Sequence, residues 1–209
     1  MFKAILNFLF PQKCLGCRKE NEILCDECVE RIDRADLPAR GDIFAASNYS
    51  DPVLRKTIWL LKYKKVKNAA APLARLLSQR VWDKIKKENT LVVPIPLSKK
   101  RLRQRGFNQA ELIAKCLLAQ LQRRVLWEVR SDILYKKVHT ESQVSIKDKE
   151  GRLTNLAGSF EVKNPEAVRD KNIILIDDVC TTGATIKEAR KTLKEAGARR
   201  VIAMVVARG

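Results

Sequence analysis

With 209 residues and a formal charge of +18, this chain has room for one substantial core and carries a field that draws polyanions. At 45% hydrophobic and 32% charged it is not a disordered polymer, and no apolar run reaches the length of a transmembrane helix. Neither GxGxxG nor GxxxxGK[ST] occurs, which removes the dinucleotide and P-loop readings.

In chain order, Met1 to Phe10 is apolar apart from Lys3 and Asn7. A single lysine and the lack of a small-residue cleavage site argue against a signal peptide, so a cytoplasmic location is expected. The segment reads as a short helix ended by Pro11 and packed on the protein, a peripheral membrane contact being the alternative. Cys14-Leu-Gly-Cys17 and Cys25-Asp-Glu-Cys28 follow, two CxxC knuckles seven residues apart. Four thiolates so close suit one tetrahedral Zn²⁺ with no open coordination position, hence a structural ion. Disulfides would need an export signal, and a redox CxxC would follow a strand in a βαβ unit. The ion would fold about 30 residues that cannot build a core alone. The expected division is a zinc-ribbon-like module over 1–38 and an α/β domain over 39–209.

Ile43 to Tyr49 reads as a strand, and Asp51-Pro52 starts a helix with Leu54, Ile58 and Leu61 on one face. Ala69 to Lys87 reads as a second helix, Leu91 to Ile95 as a strand, and Lys99 to Phe107 as a basic loop. Asn108 is placed to cap a helix from Gln109 to about Leu121, with Cys116 in its apolar run. Val125 to Val129 gives another strand. Lys136 to Leu156 is polar and weakly periodic, the signature of a lid or a disordered insert. Its His139, the sole histidine, is read as solvent-facing. Gly158 to Val162 is a short strand, and Arg199 to Ala207 closes the sheet.

The most informative stretch is Ile-Ile-Leu-Ile-Asp-Asp-Val-Cys-Thr-Thr-Gly-Ala-Thr at 173–185. Four apolar residues make a strand buried on both faces of a parallel sheet. Asp177 and Asp178 then fall at its carboxyl end, where open α/β sheets bind ligands. Thr181-Thr182-Gly183-Ala184-Thr185 opens a helix running from Ile186 to Ala196, and amides and hydroxyls there form a phosphate cradle. Two carboxylates one step upstream suit the cis hydroxyls of a ribose or a hydrated Mg²⁺. Together they describe a site for a ribose 5-phosphate. Cys180 reads as a spacer turned away from the ligand rather than a nucleophile.

That run resembles the phosphoribosyl pyrophosphate (PRPP) motif of type I phosphoribosyltransferases. The resemblance implies a mostly parallel sheet flanked by helices, and PRPP held with Mg²⁺ at Asp177, Asp178, Cys180, Thr181, Thr182, Gly183, Ala184 and Thr185. It also implies that the loop after the first core strand grips the pyrophosphate, which carries over to Arg101, Arg105 and Gly106, with Lys99 and Lys100 as candidates. Arginine's planar fork suits a diphosphate. Val-Pro-Ile-Pro-Leu at 93–97 and Arg105-Gly-Phe-Asn-Gln109 narrow the resemblance to the ComF (competence protein F, or GntX-like) family. Thr140, Gln143, Arg152, Asn155 and Phe160 support it, the first four as lid residues. Lys136-Lys137 and Ile146 depart from the pattern, where arginine and leucine are expected.

The implied activity is displacement of pyrophosphate from C1 of PRPP, with Asp177, Asp178, Arg101 and Arg105 as the catalytic set, in a protein linked to DNA uptake. The alternative is a non-enzymatic PRPP sensor that binds single-stranded DNA and the uptake machinery. The cluster Lys62, Lys64, Lys65 and Lys67 would carry that binding. Trp59, Tyr63, Trp82 and Trp127 are possible stacking platforms, although their apolar neighbours favour a place in the core.

Overall fold

In a computed structural model of the chain, the described residues are 12–35, 42–81, 89–121, 127–137 and 158–209. A short helix, α1 (Asp26–Arg31), belongs to the cysteine segment. Then come β1 (Ile43–Asn48), α2 (Pro52–Tyr63), a 3₁₀ turn and α3 (Ala70–Arg80). Next are β2 (Thr90–Pro94), α4 (Lys99–Arg105), α5 (Gln109–Leu121), β3 (Glu128–Val129) and β4 (Leu134–Lys136). The chain continues through β5 (Phe160–Val162), β6 (Asn172–Cys180), α6 (Ala184–Glu195) and β7 (Arg200–Arg208).

Five strands form one sheet in the order β1-β7-β6-β2-β3, every pair parallel. The β6 strand is central because its side chains are buried on both faces. Ile174 and Ile176 join a core with Leu54, Leu73, Ile113 and Leu117 of α2, α3 and α5. Ile173 and Leu175 join a second core with Ile186, Ala189 and Leu193 of α6. The connection from β2 runs outward to β3, whereas that from β6 runs the other way to β7. The order therefore reverses between β2 and β6, which opens a crevice at their carboxyl ends.

The expected α/β fold is present, with two local differences. The segment read as a basic loop is a helix, α4: Ser98 accepts a hydrogen bond from the Arg101 amide, and Gly106, with φ of 79°, ends it. Lys, Arg and Leu, none of them β-branched, are good helix formers, so two turns form with no residue buried. The segment read as Gly158 to Val162 does not enter the main sheet. Its strand, β5, pairs antiparallel with β4 in a separate two-stranded ribbon, and Lys136, the first residue of the expected polar loop, is part of that pairing. Of the expected helix over 69–87 and strand over 125–129, the described parts are α3, with Val81 as its C-cap, and β3; 82–88 and 122–126 lie outside the described residues. Met1–Phe10, Trp82 and 138–157, including His139, Thr140, Gln143, Arg152 and Asn155, lie outside the described residues.

The cysteine segment does not stand apart from the sheet. Leu24, Val29 and Ile32 share the first core with Ala46 of β1 and Leu76 of α3. Arg75 of α3 forms an ion pair with Asp26. Arg80 goes further: its guanidinium donates to the carbonyls of Val29 (3.0 Å), Ile32 (2.8 Å), Asp33 (3.1 Å) and Ala46 (3.2 Å). Burial, reinforced by nearby Arg34, lowers its pKa against the pull of Asp51 and Asp33. A charged fork spread over the last carbonyls of α1 and an edge strand ties module to domain. Arg80→Ala should therefore cost about 2–4 kcal/mol in urea unfolding, because it orphans several carbonyls at once. Arg80→Lys, with one donor centre in place of a fork, should recover less than half of that loss.

Candidate functional site

The pleat of β6 distributes the acidic pair. Successive side chains point to opposite faces, so Asp178 follows Ile174 and Ile176 toward the α2 side while Asp177 follows Ile173 and Leu175 toward the other. On the α2 side, Lys62 Nζ lies 2.7 Å from Asp178 Oδ1, and Asp178 is only 3% exposed. On the opposite side stands Lys136 of β4. Burial and the charge of Arg101 lower the Lys136 pKa, against the opposing influence of Asp177. Asp177 accepts a hydrogen bond from the Asp178 amide at 2.8 Å. Its own burial, then the Asp178 charge, push its pKa up to about 7 despite that bond and the two lysines.

The chain then turns through Thr181 and Thr182 to Gly183, whose φ of 79° is a left-handed conformation. A side chain there would be strained, and its Cβ would stand 3.5 Å from Ile43 Cδ1. Thr182 Oγ1 accepts from the Ala184 amide at 3.3 Å, and α6 begins at Ala184, two residues before the expected Ile186. Thr185 lies in the first turn. Past Asp178 the alternation shifts, with Val179 packed against the first core and Cys180 buried in the second, and the Cys180 carbonyl accepts from the Gly209 amide at 3.0 Å.

Beside this strand end, α2 and α4 enclose a cavity of about 440 Å³ lined by Lys62, Tyr63, Lys65, Arg101, Gln104 and Arg105. Four of those six side chains are cationic, so the cavity selects for an anion. Arg105 lies over the Tyr63 ring at 5.5 Å. Arg101 and Arg105 thus come together as expected. Lys99 and Lys100 lie on the exposed surface of α4, outside the cavity lining, and a Cβ added at Gly106 would meet nothing within 4 Å among the described residues. Helical periodicity explains the split, since one face of α4 meets α2 and the other meets water.

Two expectations about α2 are corrected. Lys62 does not belong to a free basic patch with Lys64, Lys65 and Lys67: it is paired with Asp178. Trp59 and Tyr63 are not core residues but 43% and 61% exposed, because the buried stripe of α2 is Leu54, Thr57, Ile58 and Leu61. Lys62 is the site residue that sequence reasoning misses. Its spacing from Ile58 and Leu61 places it at the border of the buried stripe, but only the fold shows what it meets.

The four cysteines form a second site. Their sulfurs all lie within 4.8 Å of one another, with Cys14–Cys25 at 3.7 Å and Cys17–Cys25 at 3.5 Å. Tetrahedral zinc with Zn–S near 2.3 Å requires sulfurs about 3.8 Å apart, so the donor set fits a metal such as zinc. The Cys25 amide donates to Cys14 Sγ at 3.4 Å, and a Cβ on Gly16 would stand 2.6 Å from Cys28 Sγ. Burial raises the Cys14 thiol, but backbone hydrogen bonds from Cys17, Cys25 and Gly16 outweigh it and hold it at about 6. Burial and the neighbouring sulfurs push Cys28 up to about 12, a crowding that a divalent cation relieves. Among the described residues no other group of three or more metal-ligating side chains occurs, and no helix is long and apolar enough to cross a membrane.

A parallel sheet with a reversal point, an acidic strand end and a glycine-threonine loop opening a helix together place the chain in the doubly wound α/β class. Residues 61–209 match the Phosphoribosyl transferase domain, and the chain belongs to that family. It is similar to Competence protein ComFC of Bacillus subtilis (strain 168), 40% identical over 107 residues, covering 51% of this chain and 39% of that protein's length. It is similar across most of its length to DNA utilization protein YhgH of Salmonella typhi, 28% identical over 90% of this chain and 85% of that one. Competence protein F of Haemophilus influenzae is 29% identical over 92% of this chain and 82% of that one. Among solved structures, the allosteric regulatory enzyme of purine biosynthesis aligns with a TM-score of 0.40 and 18% identity, covering 66% of this chain and 26% of that one. TT1426 from Thermus thermophilus aligns with a TM-score of 0.33 and 16% identity, covering 66% of this chain and 72% of that one.

The raised Asp177 pKa has a measurable consequence in the ligand-free protein. The folded state holds this proton more tightly than the unfolded chain, so stability falls as pH rises from near 3.8 toward about 7. Asp177→Asn should thus stabilise the ligand-free protein above pH 7 and leave it unchanged at about pH 3.5. Urea titrations at both pH values check the difference.

Proposed function

We propose that this chain binds PRPP and acts at its C1 with loss of pyrophosphate, in the service of DNA uptake or utilisation. The observation that carries this reading is the meeting of acidic pair, glycine-threonine loop and cationic cavity at one reversal point of the sheet. In this reading Thr181, Thr182, Gly183, Ala184 and Thr185 seat the 5-phosphate, where the amides opening α6 donate. Asp177 and Asp178 accept from the ribose hydroxyls and fix the sugar against the strand end. Arg101 and Arg105 neutralise the departing pyrophosphate from the cavity, with Lys65 beside them.

The bond from C1 to the pyrophosphate oxygen breaks ahead of bond formation to the acceptor, so positive charge develops on the ribose. The carboxylates at the strand end stabilise that charge, and the cations of the cavity stabilise the leaving group. Exclusion of water falls to the segment with Thr140, Gln143, Arg152 and Asn155, which lies outside the described residues. A divalent ion such as Mg²⁺, if bound with the ligand, would add neutralisation of the diphosphate. The two carboxylates offer it no cage of their own, since one Asp178 oxygen is already paired with Lys62.

A second reading has its own observation. Exposed Trp59 and Tyr63 stand 6.4 Å apart with Lys64 Nζ 5.3 Å from the Trp59 ring, an arrangement suited to stacking bases of a single strand. Under this reading PRPP is sensed rather than consumed, and the relatives' competence and DNA utilization names concern strand binding. Pyrophosphate release from PRPP, measured with candidate acceptors and with or without single-stranded DNA, separates the two. Release supports the enzyme; PRPP and DNA binding without release supports the sensor.

The four thiolates are assigned a structural zinc, with no coordination position left for chemistry. Metal analysis should return about one zinc per chain. Cys25→Ser and Gly16→Ala should both lose it and unfold the cysteine segment first. Iron in place of zinc would overturn the assignment. For the phosphoribosyl site, PRPP should raise the melting temperature by mass action, and Asp177→Asn with Asp178→Asn should abolish that shift in a protein that still folds. Normal PRPP binding by the double variant would refute the central claim.

A further inference from the structure

Lys62 is placed unlike any other cation of the site. It sits in the last turn of α2, held there by Ile58 and Leu61, which are fully buried in the first core. Its side chain is 16% exposed and its ammonium meets Asp178 Oδ1 at 2.7 Å, while Asp178 Oδ2 is buried with no hydrogen-bond partner among the described residues. The same lysine lines the cavity with Lys65, Arg101 and Arg105. One fixed charge therefore touches both Asp178 and the space that would receive a diphosphate.

We infer that Lys62 is the built-in cation of this site, bridging Asp178 to the diphosphate, so that the chain binds its diphosphate ester without a divalent metal. The inference rests on the PRPP reading above and concerns how that ligand's charge is met. A divalent ion entering here would find one carboxylate oxygen already claimed by an ammonium. It would also face the repulsion of Lys62, Lys65, Arg101 and Arg105 at close range. No third carboxylate joins the pair among the described residues, whereas hard divalent ions take about six or more oxygen ligands. The ammonium supplies three donors, enough to hold Asp178 and reach a phosphate oxygen together. Lys62 is thus a positioning residue for Asp178 and a direct ligand of the diphosphate.

The test is calorimetric binding of PRPP, and separately of inorganic pyrophosphate, to the full chain. Buffers are stripped of divalent ions by resin, without a chelator that would attack the cysteine site, and each titration is repeated with excess Mg²⁺. Wild type should bind PRPP with affinities agreeing within about threefold in the two buffers. Lys62→Met should weaken metal-free binding roughly tenfold or more, the usual loss for a charge-assisted contact, and Mg²⁺ should restore most of it. Lys62→Arg should stay metal-independent. A general folding defect would weaken both buffers alike, so the gain of Mg²⁺ dependence is specific to the role inferred. Wild-type binding that requires Mg²⁺ overturns the inference even if Lys62→Met fails to fold, and so does a folded Lys62→Met that binds as wild type without metal. PRPP bound in neither buffer overturns the functional reading and this inference with it, whereas PRPP bound only with Mg²⁺ overturns this inference alone.

Discussion

Alternation along β6 is the constraint on which the site depends. A strand buried on both faces must send consecutive residues to opposite sides, and the apolar run before Asp177 fixes which side each carboxylate takes. A one-residue slip would exchange their environments and bury the wrong chain of contacts on every row. Because the strand is paired to β2 and β7 over most of its length, that slip is forbidden by the register of both neighbours. Two adjacent acids can thus differ in character without any difference in residue type. One is ion-paired and nearly sealed from water; the other is destabilised as an anion by burial and by its neighbour.

The cysteine segment solves a different problem. Its thiolates are too few and its apolar residues too sparse to fold independently, yet Leu24, Val29 and Ile32 are as buried as residues of the sheet. They achieve this by sharing a core with α3 and β1, and Arg80 closes the seam with hydrogen bonds to carbonyls on both sides. The cysteine cluster, which could hold a metal, and the guanidinium at the seam lie at the two ends of the same element, α1.

Much of this is legible from the chain. The run 173–185 announces strand, acids, loop and helix in the right order because each step has a strong local signature: continuous apolar residues, charge, glycine and threonine, then a helical period. The CxxC pairs are legible because sulfur spacing is nearly sufficient to set geometry. The α4 segment reads as a loop since a run of lysine and arginine lacks an apolar stripe, and a helix with nothing to bury leaves no periodic trace. The pairing of Lys62 with Asp178 joins residues far apart in the chain, and nothing local distinguishes that lysine from Lys64 or Lys65. Trp59 and Tyr63 look like core residues only because of their apolar neighbours, which occupy the opposite face of the same helix.

Gly209 offers a practical handle. Its amide is bonded to the Cys180 carbonyl, and a Cβ at this position would stand 3.6 Å from Tyr49 Cβ and 3.7 Å from Thr181 Cγ2. Whatever is joined to the chain after this residue departs from the rim of the glycine-threonine loop. A bulky affinity tag there would crowd the very surface an assay is meant to interrogate, while a small environment-sensitive dye would become a reporter of its occupancy.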